Sequence, residues 1–156
     1  MTHDRVEALA LSDAIAVMRE GCIVETGTPQ KIYFNADTRF VADFIGRANL
    51  VSARVRAQEP ERTLIDCGLG TIACARREFA VGSEVTLCLR PEFIRVEPGE
   101  GSGENVVNGR IESRVFVGEA YEVEIRVGTE RILARLDPDA QLGVGDAVSF
   151  ELDPAH

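Results

Sequence analysis

Few side chains in this sequence are grouped as chemistry would require. The chain opens Met-Thr-His-Asp, so His3 stands between a hydroxyl and a carboxylate just before a helix-forming run. Arg90-Pro91-Glu92 joins two opposite charges through a residue that fixes φ and cannot donate to a strand ladder. The triplet reads first as a structural corner and second as an anion or effector contact made by Arg90 and Glu92. Glu97, Glu100 and Glu104 lie in a glycine-rich stretch. Carboxylates suit hard cations, but this spacing matches no calcium loop, and the reading is a solvated acidic loop with no metal. Cys22, Cys67, Cys74 and Cys88 form no C-x-x-C pair and have no histidine at zinc spacing. Cys67 and Cys74 flank a glycine-containing stretch and could face each other in a hairpin. Buried free thiols in a reducing compartment are the preferred reading, with that disulfide left open. Glu119, Glu122 and Glu124 read as solvent-facing strand residues, and Arg110, Arg114 and Arg126 as a small basic strip on an outer face.

Composition narrows the partners. The net charge of the chain is −9, of which residues 1–47 carry −2 and residues 48–156 carry −7. Neither part offers a basic platform to phosphates, and with no Trp and two Tyr there is no stacking surface for single strands. Nucleic acid is therefore excluded as a partner, and an anionic membrane surface is disfavoured for the same reason. No apolar run reaches the length of a membrane span. The N-terminus lacks the layout of a signal peptide, so the expected location is cytoplasmic.

The elements that must position these groups fall into two parts with different periodicity. Residues 1–47 read as mixed α and β. Asp4 with Glu7 resembles a capping pair for a first helix whose Val6, Leu9 and Ala10 share a face. Residues 14–18 (AIAVM) form a short apolar run of the kind buried on both faces of a sheet. Glu20-Gly21 turns the chain, and residues 22–27 (CIVETG) return beside that strand. Thr28-Pro29 starts a second helix. Residues 38–46 (TRFVADFIG) form a third, with Phe40, Val41, Phe44 and Ile45 as its apolar stripe and Gly46 as its C-cap. An isolated two-stranded hairpin is marginal in water. The apolar strand thus calls for neighbours that this segment does not supply, as the last part of a larger α/β domain would.

Residues 48–156 alternate with period two. Val85, Leu87 and Leu89, then Tyr121, Val123, Ile125 and Val127, then Val148, Phe150 and Leu152 each mark one face of a strand. Ile111, Ser113, Val115 and Val117 are expected on one side of another strand, with Arg110, Glu112 and Arg114 on the other. Glycines recur between short strands, as in a small antiparallel barrel. The stretch 97–105 (EPGEGSGEN) is the expected weak point of order. It divides the β part into 48–104 and 105–156, two OB-like units with no evident sequence repeat.

The ordered series T-H-D, E-A-L-x-L-S-D, I-A-V-M, G-T-P, I-Y, F-V-A-D-F-I-G and N resembles the C-terminal end of an ATP-binding-cassette (ABC) ATPase. It is similar to the importer subgroup for iron, polyamines, sulfate, maltose and like solutes. LCLRPEFIRV (87–96), with weaker support from residues 105–125, resembles the accessory TOBE (transport-associated OB) domain of that subgroup. The resemblance implies a mainly β chain: a short α/β remnant of an ABC ATPase domain over 1–47, then an OB-like antiparallel β-barrel (TOBE) domain over 48–156. It implies that His3 is the switch histidine that contacts the γ-phosphate of ATP, non-functional in this chain by itself. It also implies ATP and magnesium as cofactors of the full-length parent, with none for the chain alone.

No phosphate-cradling G-x-x-x-x-G-K-[ST] loop, magnesium-holding Asp-Glu or L-S-G-G-Q-like signature occurs in the sequence. The expectation is accordingly a C-terminal fragment with no ATP hydrolysis of its own. It would be a regulatory and accessory part of an importer's ATP-binding subunit, peripheral to the inner face of the cell membrane. Its expected partners are a second copy, which would supply neighbours to the apolar strand, and permease subunits in the full-length context. A small solute is a further candidate effector, as accessory domains of some such importers sense transported oxyanions. The alternative is a stand-alone cytosolic OB-like domain that senses an oxyanion, metal or small metabolite.

Overall fold

A computed structural model describes residues 4–153. The chain divides into two compact units between Ala48 and Asn49.

In the first unit the order is α1 (Arg5–Leu11), β1 (Ile15–Arg19), β2 (Cys22–Gly27), α2 (Pro29–Phe34) and α3 (Arg39–Ile45). Local chemistry accounts for the boundaries. The Asp4 carboxylate accepts from the N–H groups of Val6 and Glu7, at 2.9 and 3.1 Å, and so caps α1. Thr28 and Thr38 do the same for α2 and α3 through the N–H groups of Lys31 and Val41. Glu20 and Gly21 both have positive φ, which gives the two-residue turn whose twist matches a hairpin. Val17, Ile32, Val41 and Ile45 form the core.

The ribbon β1–β2 departs from expectation. Of the apolar run, Val17 alone is buried, while Met18, Ile23 and Val24 are exposed. Two paired strands with a small apolar cluster have cover for one face only, so the second apolar face stays in solvent. In α3 the buried residues are Val41, Ala42 and Ile45, and Phe44 instead stacks on Phe40 at 5.7 Å. Gly46 sits at the C-cap with extended backbone rather than the left-handed turn its type suggested.

In the second unit β3 (Asn49–Gln58), β4 (Arg62–Cys67), β5 (Gly70–Ala75) and β6 (Glu84–Leu89) make a sheet in the order β5-β4-β3-β6. A 3-10 turn, Pro91–Phe93, leads to β7 (Arg95–Pro98). Then β8 (Val106–Phe116), β9 (Tyr121–Val127), β10 (Glu130–Leu136) and β11 (Ala147–Glu151) make a second sheet, β10-β9-β8-β11-β7. All pairs are antiparallel. The fold is mainly β, with curled, OB-like antiparallel sheets around one apolar cluster. That cluster draws Val51, Val55, Ile65 and Ile72 from the first sheet and Val107, Ile111, Val123, Ile125, Ile132, Val148 and Phe150 from the second.

The two sheets repeat one pattern that the sequence conceals. In each, a long strand (β3 or β8) turns into a three-strand meander and is then paired on its other edge by a later strand (β6 or β11). Each long strand carries a bulge at the same place, after Val55 and after Ile111. Val55 exchanges backbone bonds with Ser83 and Gly82, as Ile111 does with Asp146 and Gly145. Gly82 and Gly145 both need positive φ at that turn.

Two buried asparagines bind the halves reciprocally. Asn49, opening β3, accepts from the Leu133 N–H at 2.7 Å and donates to the Leu133 carbonyl at 2.8 Å and the Leu89 carbonyl at 3.2 Å. Asn105, preceding β8, accepts from the Ala73 N–H at 2.7 Å and donates to the carbonyls of Ala73 at 2.8 Å and Leu152 at 2.9 Å. Leu133 and Ala73 lie on β10 and β5, the outermost strands beside each meander. Each amide thus serves as one more peptide unit for an edge strand of the opposite half.

The glycine-rich stretch expected to be weakly ordered is tied at several points. Gly99 donates to the Ala147 carbonyl, and Gly101 exchanges two hydrogen bonds with the Asn108 side chain. Glu104 pairs with Arg62 at 2.5 Å.

Candidate functional site

His3 lies outside the described residues. Arg90 and Glu92 flank Pro91 at the end of β6, but their environments differ. Arg90 is buried and its carbonyl accepts from the Phe93 N–H at 3.0 Å, which closes the 3-10 turn; Glu92 is exposed. The corner comes from the sequence: β6 alternates up to Leu89, and Pro91 then sets the first position of the turn.

The expected basic strip is only partly assembled. Arg110 and Arg126 are direct cross-strand neighbours, and Arg131 on β10 continues the row beside Arg126. Arg114 leaves the row because Glu112 is the extra residue of the bulge, after which the strand changes phase. Arg114 therefore shares a side with buried Val123, where its guanidinium lies 3.5 Å over the Tyr121 ring and donates to the Ala140 carbonyl at 3.0 Å. The same phase change leaves Val115 and Val117 exposed, against the expectation that they continue the face of Ile111. Alternation alone cannot reveal a bulge, and no glycine marks this one.

Glu112 uses its bulged position to hold two arginines. Its carboxylate accepts from Arg126 Nε and, at 3.0 Å, from Arg131 Nε. These cations hold its carboxyl below the usual carboxylate range. In the first half the equivalent bulged residue is Arg56. It donates to the Thr71 hydroxyl at 3.0 Å and lies 3.5 Å from the Asp66 carboxylate. The two constellations share geometry and invert charge.

In the first unit a second carboxylate is well placed. Glu25 is buried, accepts from the Asp37 N–H at 3.1 Å and pairs with Lys31, which also reaches Asp37 at 2.5 Å. These two carboxylates push the Lys31 ammonium up from its ordinary range. The cluster ties β2 to α2 and to the turn before α3, a positional role that spacing in the sequence did not disclose.

All four cysteines are unbridged. In the β4–β5 hairpin Cys67 pairs with Gly70 and Cys74 with Thr63, so the two thiols do not face each other. Burial pushes Cys67 and Cys88 up, and Cys74 to about 11. Among the described residues no three His, Cys, Asp or Glu side chains are grouped to hold a metal ion. Among them too, no helix is long and apolar enough to cross a membrane.

Residues 87–156 match the TOBE domain family. The spermidine/putrescine import ATP-binding protein PotA of Rubrobacter xylanophilus is 40% identical to the whole chain over 164 residues, which make up 43% of that relative. The chain is thus similar over its whole length to one part of this import ATP-binding protein, with the TOBE match confined to residues 87–156. PotA of Pseudomonas aeruginosa is likewise 40% identical, over 170 residues covering all of the chain and 46% of the relative. PotA of Ruegeria pomeroyi is 38% identical across 96% of the chain and 41% of the relative. The chain thus spans less than half the length of these curated relatives. Its fold is shared with the cytoplasmic molybdate-binding protein ModG, solved with molybdate bound. The TM-score is 0.61 at 17% identity, over 69% of the chain and 91% of that protein.

Proposed function

We propose that the chain is the C-terminal regulatory and accessory part of the ATP-binding subunit of an ABC importer. There it contributes to subunit dimerisation and to control of ATP-driven solute uptake, and it hydrolyses no ATP by itself. The observation that carries this reading is similarity that runs unbroken from the first unit through the second in relatives named as spermidine/putrescine import proteins. The polyamines of those names are the proposed cargo. The solvent-facing apolar side of β1–β2 supports a first unit that normally leans on more sheet. In that setting His3 is the switch histidine, ATP and magnesium belong to the full-length subunit, and the complex sits on the cytoplasmic face of the membrane with permease subunits.

A graft tests this reading. Residues 49–156 replace the corresponding segment of the Pseudomonas aeruginosa relative, and spermidine uptake is measured in cells lacking the native protein. Retained uptake is expected; a stable chimera that assembles with the permease yet imports nothing overturns the proposal.

The likeness to a molybdate-binding fold favours one alternative, a cytosolic sensor of an oxyanion or another small solute, with Arg90 and Glu92 as its contacts. A saturable rise in melting temperature with molybdate, sulfate, ferric citrate or spermidine would move the assignment to that reading.

A further inference from the structure

Asn108-Gly109 is the one Asn-Gly pair in the sequence. Between alternating apolar residues such a pair is the strongest short signal of a hairpin turn, yet here it sits inside the eleven-residue strand β8. Packing accounts for the glycine. A Cβ at position 109 would come within 2.5 Å of Ile125 Cγ2 and 2.7 Å of the Arg126 carbonyl oxygen. A second glycine accounts for the asparagine. The Gly101 N–H donates to Asn108 Oδ1 at 2.8 Å, and Asn108 Nδ2 donates to the Gly101 carbonyl at 3.0 Å. A Cβ at position 101 would lie 2.9 Å from Ser149 Oγ. The fold thus uses both residues of the pair for reasons unrelated to a turn.

The pair carries chemistry of its own. Lacking a Cβ, glycine has the least hindered backbone nitrogen and the freest backbone, and a five-membered ring joins that nitrogen to the preceding carboxamide. Attack of the Gly109 nitrogen on Asn108 Cγ forms a C–N bond. The side-chain nitrogen leaves as ammonia, taking the proton of the Gly109 N–H. Water then opens the cyclic imide at either carbonyl. One opening leaves aspartate, and the other leaves an isoaspartyl link whose main chain runs through Cβ and Cγ.

In the folded chain both reacting groups are engaged elsewhere. Gly109 stands opposite Val148 on β11. Strand period gives its N–H the direction of the Ile111 N–H, which donates to the Asp146 carbonyl at 3.1 Å. The Asn108 carboxamide is clasped by Gly101 through both of its polar atoms. Burial is not the guard, because Asn108 is exposed.

We infer that Asn108 is a self-modification site that the fold keeps silent, and that its conversion, once the second half opens, bars the chain from refolding. Aspartate keeps the acceptor for the Gly101 N–H but loses the donor to the Gly101 carbonyl. The isoaspartyl link adds a main-chain atom within β8, so the residues after it lose register with β11 on one side and β9 on the other. Opening then becomes a one-way event.

The full chain is aged with reductant at pH 8, in native buffer and in guanidinium chloride, and each asparagine is followed by peptide mapping that separates aspartyl from isoaspartyl products. In guanidinium Asn108 should convert ahead of Asn35, Asn49 and Asn105, which all precede residues with a Cβ. In native buffer its conversion should be at least about tenfold slower, since only the small open population reacts. Equal rates in the two conditions, or no preference for Asn108 in guanidinium, overturn the site. After return to native buffer, the fraction that elutes as folded chain should hold intact Asn108, and the fraction that fails to refold should hold the isoaspartyl form. An equal isoaspartyl share in both fractions overturns the lock-out. Asn108→Gln gives a second readout, because its ring closure needs six members and is slower. After the same ageing in guanidinium, this variant should regain its own melting transition when the unchanged chain does not. An equal loss in both overturns the lock-out as well.

Discussion

Arg56 and Glu112 occupy the same bulge in two halves of one repeated sheet, with opposite charge. Arg56 faces Asp66 and Thr71, and Glu112 faces Arg126 and Arg131. In both, the bulged residue reaches the middle strand and the outer strand of its meander. The surroundings differ in one respect. Arg110 stands directly opposite Arg126, so Glu112 balances a row of three arginines, while Arg54 stands opposite Asp66 and needs no such balance.

Replacing these two residues should therefore have unequal effects. Glu112→Gln should lower the melting temperature more than Arg56→Gln, and added salt should narrow the gap by screening the arginine row. The folded-state pKa of Glu112 is depressed, so its contribution to stability is complete above the ordinary carboxylate range. It is lost as pH falls through the lower folded value. Chemical denaturation from pH 7 downward should show a stability slope in that acid window, and Glu112→Gln should flatten it. Identical slopes would mean that the carboxylate contributes nothing there.

The asparagine pair predicts a larger, salt-independent loss. Asn105→Ala removes three hydrogen bonds and strands the Ala73 N–H in a buried site. The cost should be roughly 2–4 kcal/mol in urea denaturation. Asn105→Asp should be at least as damaging, because a carboxylate cannot donate to the Ala73 and Leu152 carbonyls. Asn49→Ala should match Asn105→Ala, since its bonds repeat the same pattern on Leu133 and Leu89.

In the first unit, Lys31→Met should loosen α2 more than Asp37→Asn does. The former deprives the buried Glu25 carboxylate of its cation; the latter leaves that pair and the backbone N–H at position 37 in place. Amide exchange across α2 should report the difference, and equal protection in the two variants would contradict it.

Thiol chemistry should be selective. Cys22 is exposed, while burial raises the thiol pKa of Cys67, Cys74 and Cys88. At pH 8 a thiol-specific chromogen should label Cys22 rapidly and the other three only on unfolding, because the thiolate is the reacting form. Fast labelling of Cys74 in the native protein would show that its burial is not sustained in solution.

The legible part of the fold was what short-range chemistry determines. Asp4, Thr28 and Thr38 announced helix starts, and the alternation of Val123, Ile125 and Val127 gave the buried face of β9 directly. The bulge at Glu112 was not legible, because inserting one residue changes which later residues face inward without changing their types. Val115, Val117 and Arg114 accordingly lie on the sides opposite to those that alternation predicts. The repeat is not legible in the sequence because its marks are positional: Asn49 with Asn105, Gly82 with Gly145, Val55 with Ile111. Between them the side chains diverge, even to opposite charge at the bulge. The sequence places Arg90 and Glu92 together, but the turn at Pro91 gives one a buried setting and the other a solvated one.

The asparagine amides have one more implication, for the chain as a covalent object. Each half carries the hook and offers the eye for the other, so the peptide link between Gly101 and Gly103 is not what keeps them together. Cut there, the two pieces should find each other again when mixed and rebuild the pair of curled sheets, which makes that loop a natural site for splitting the protein into a complementation pair.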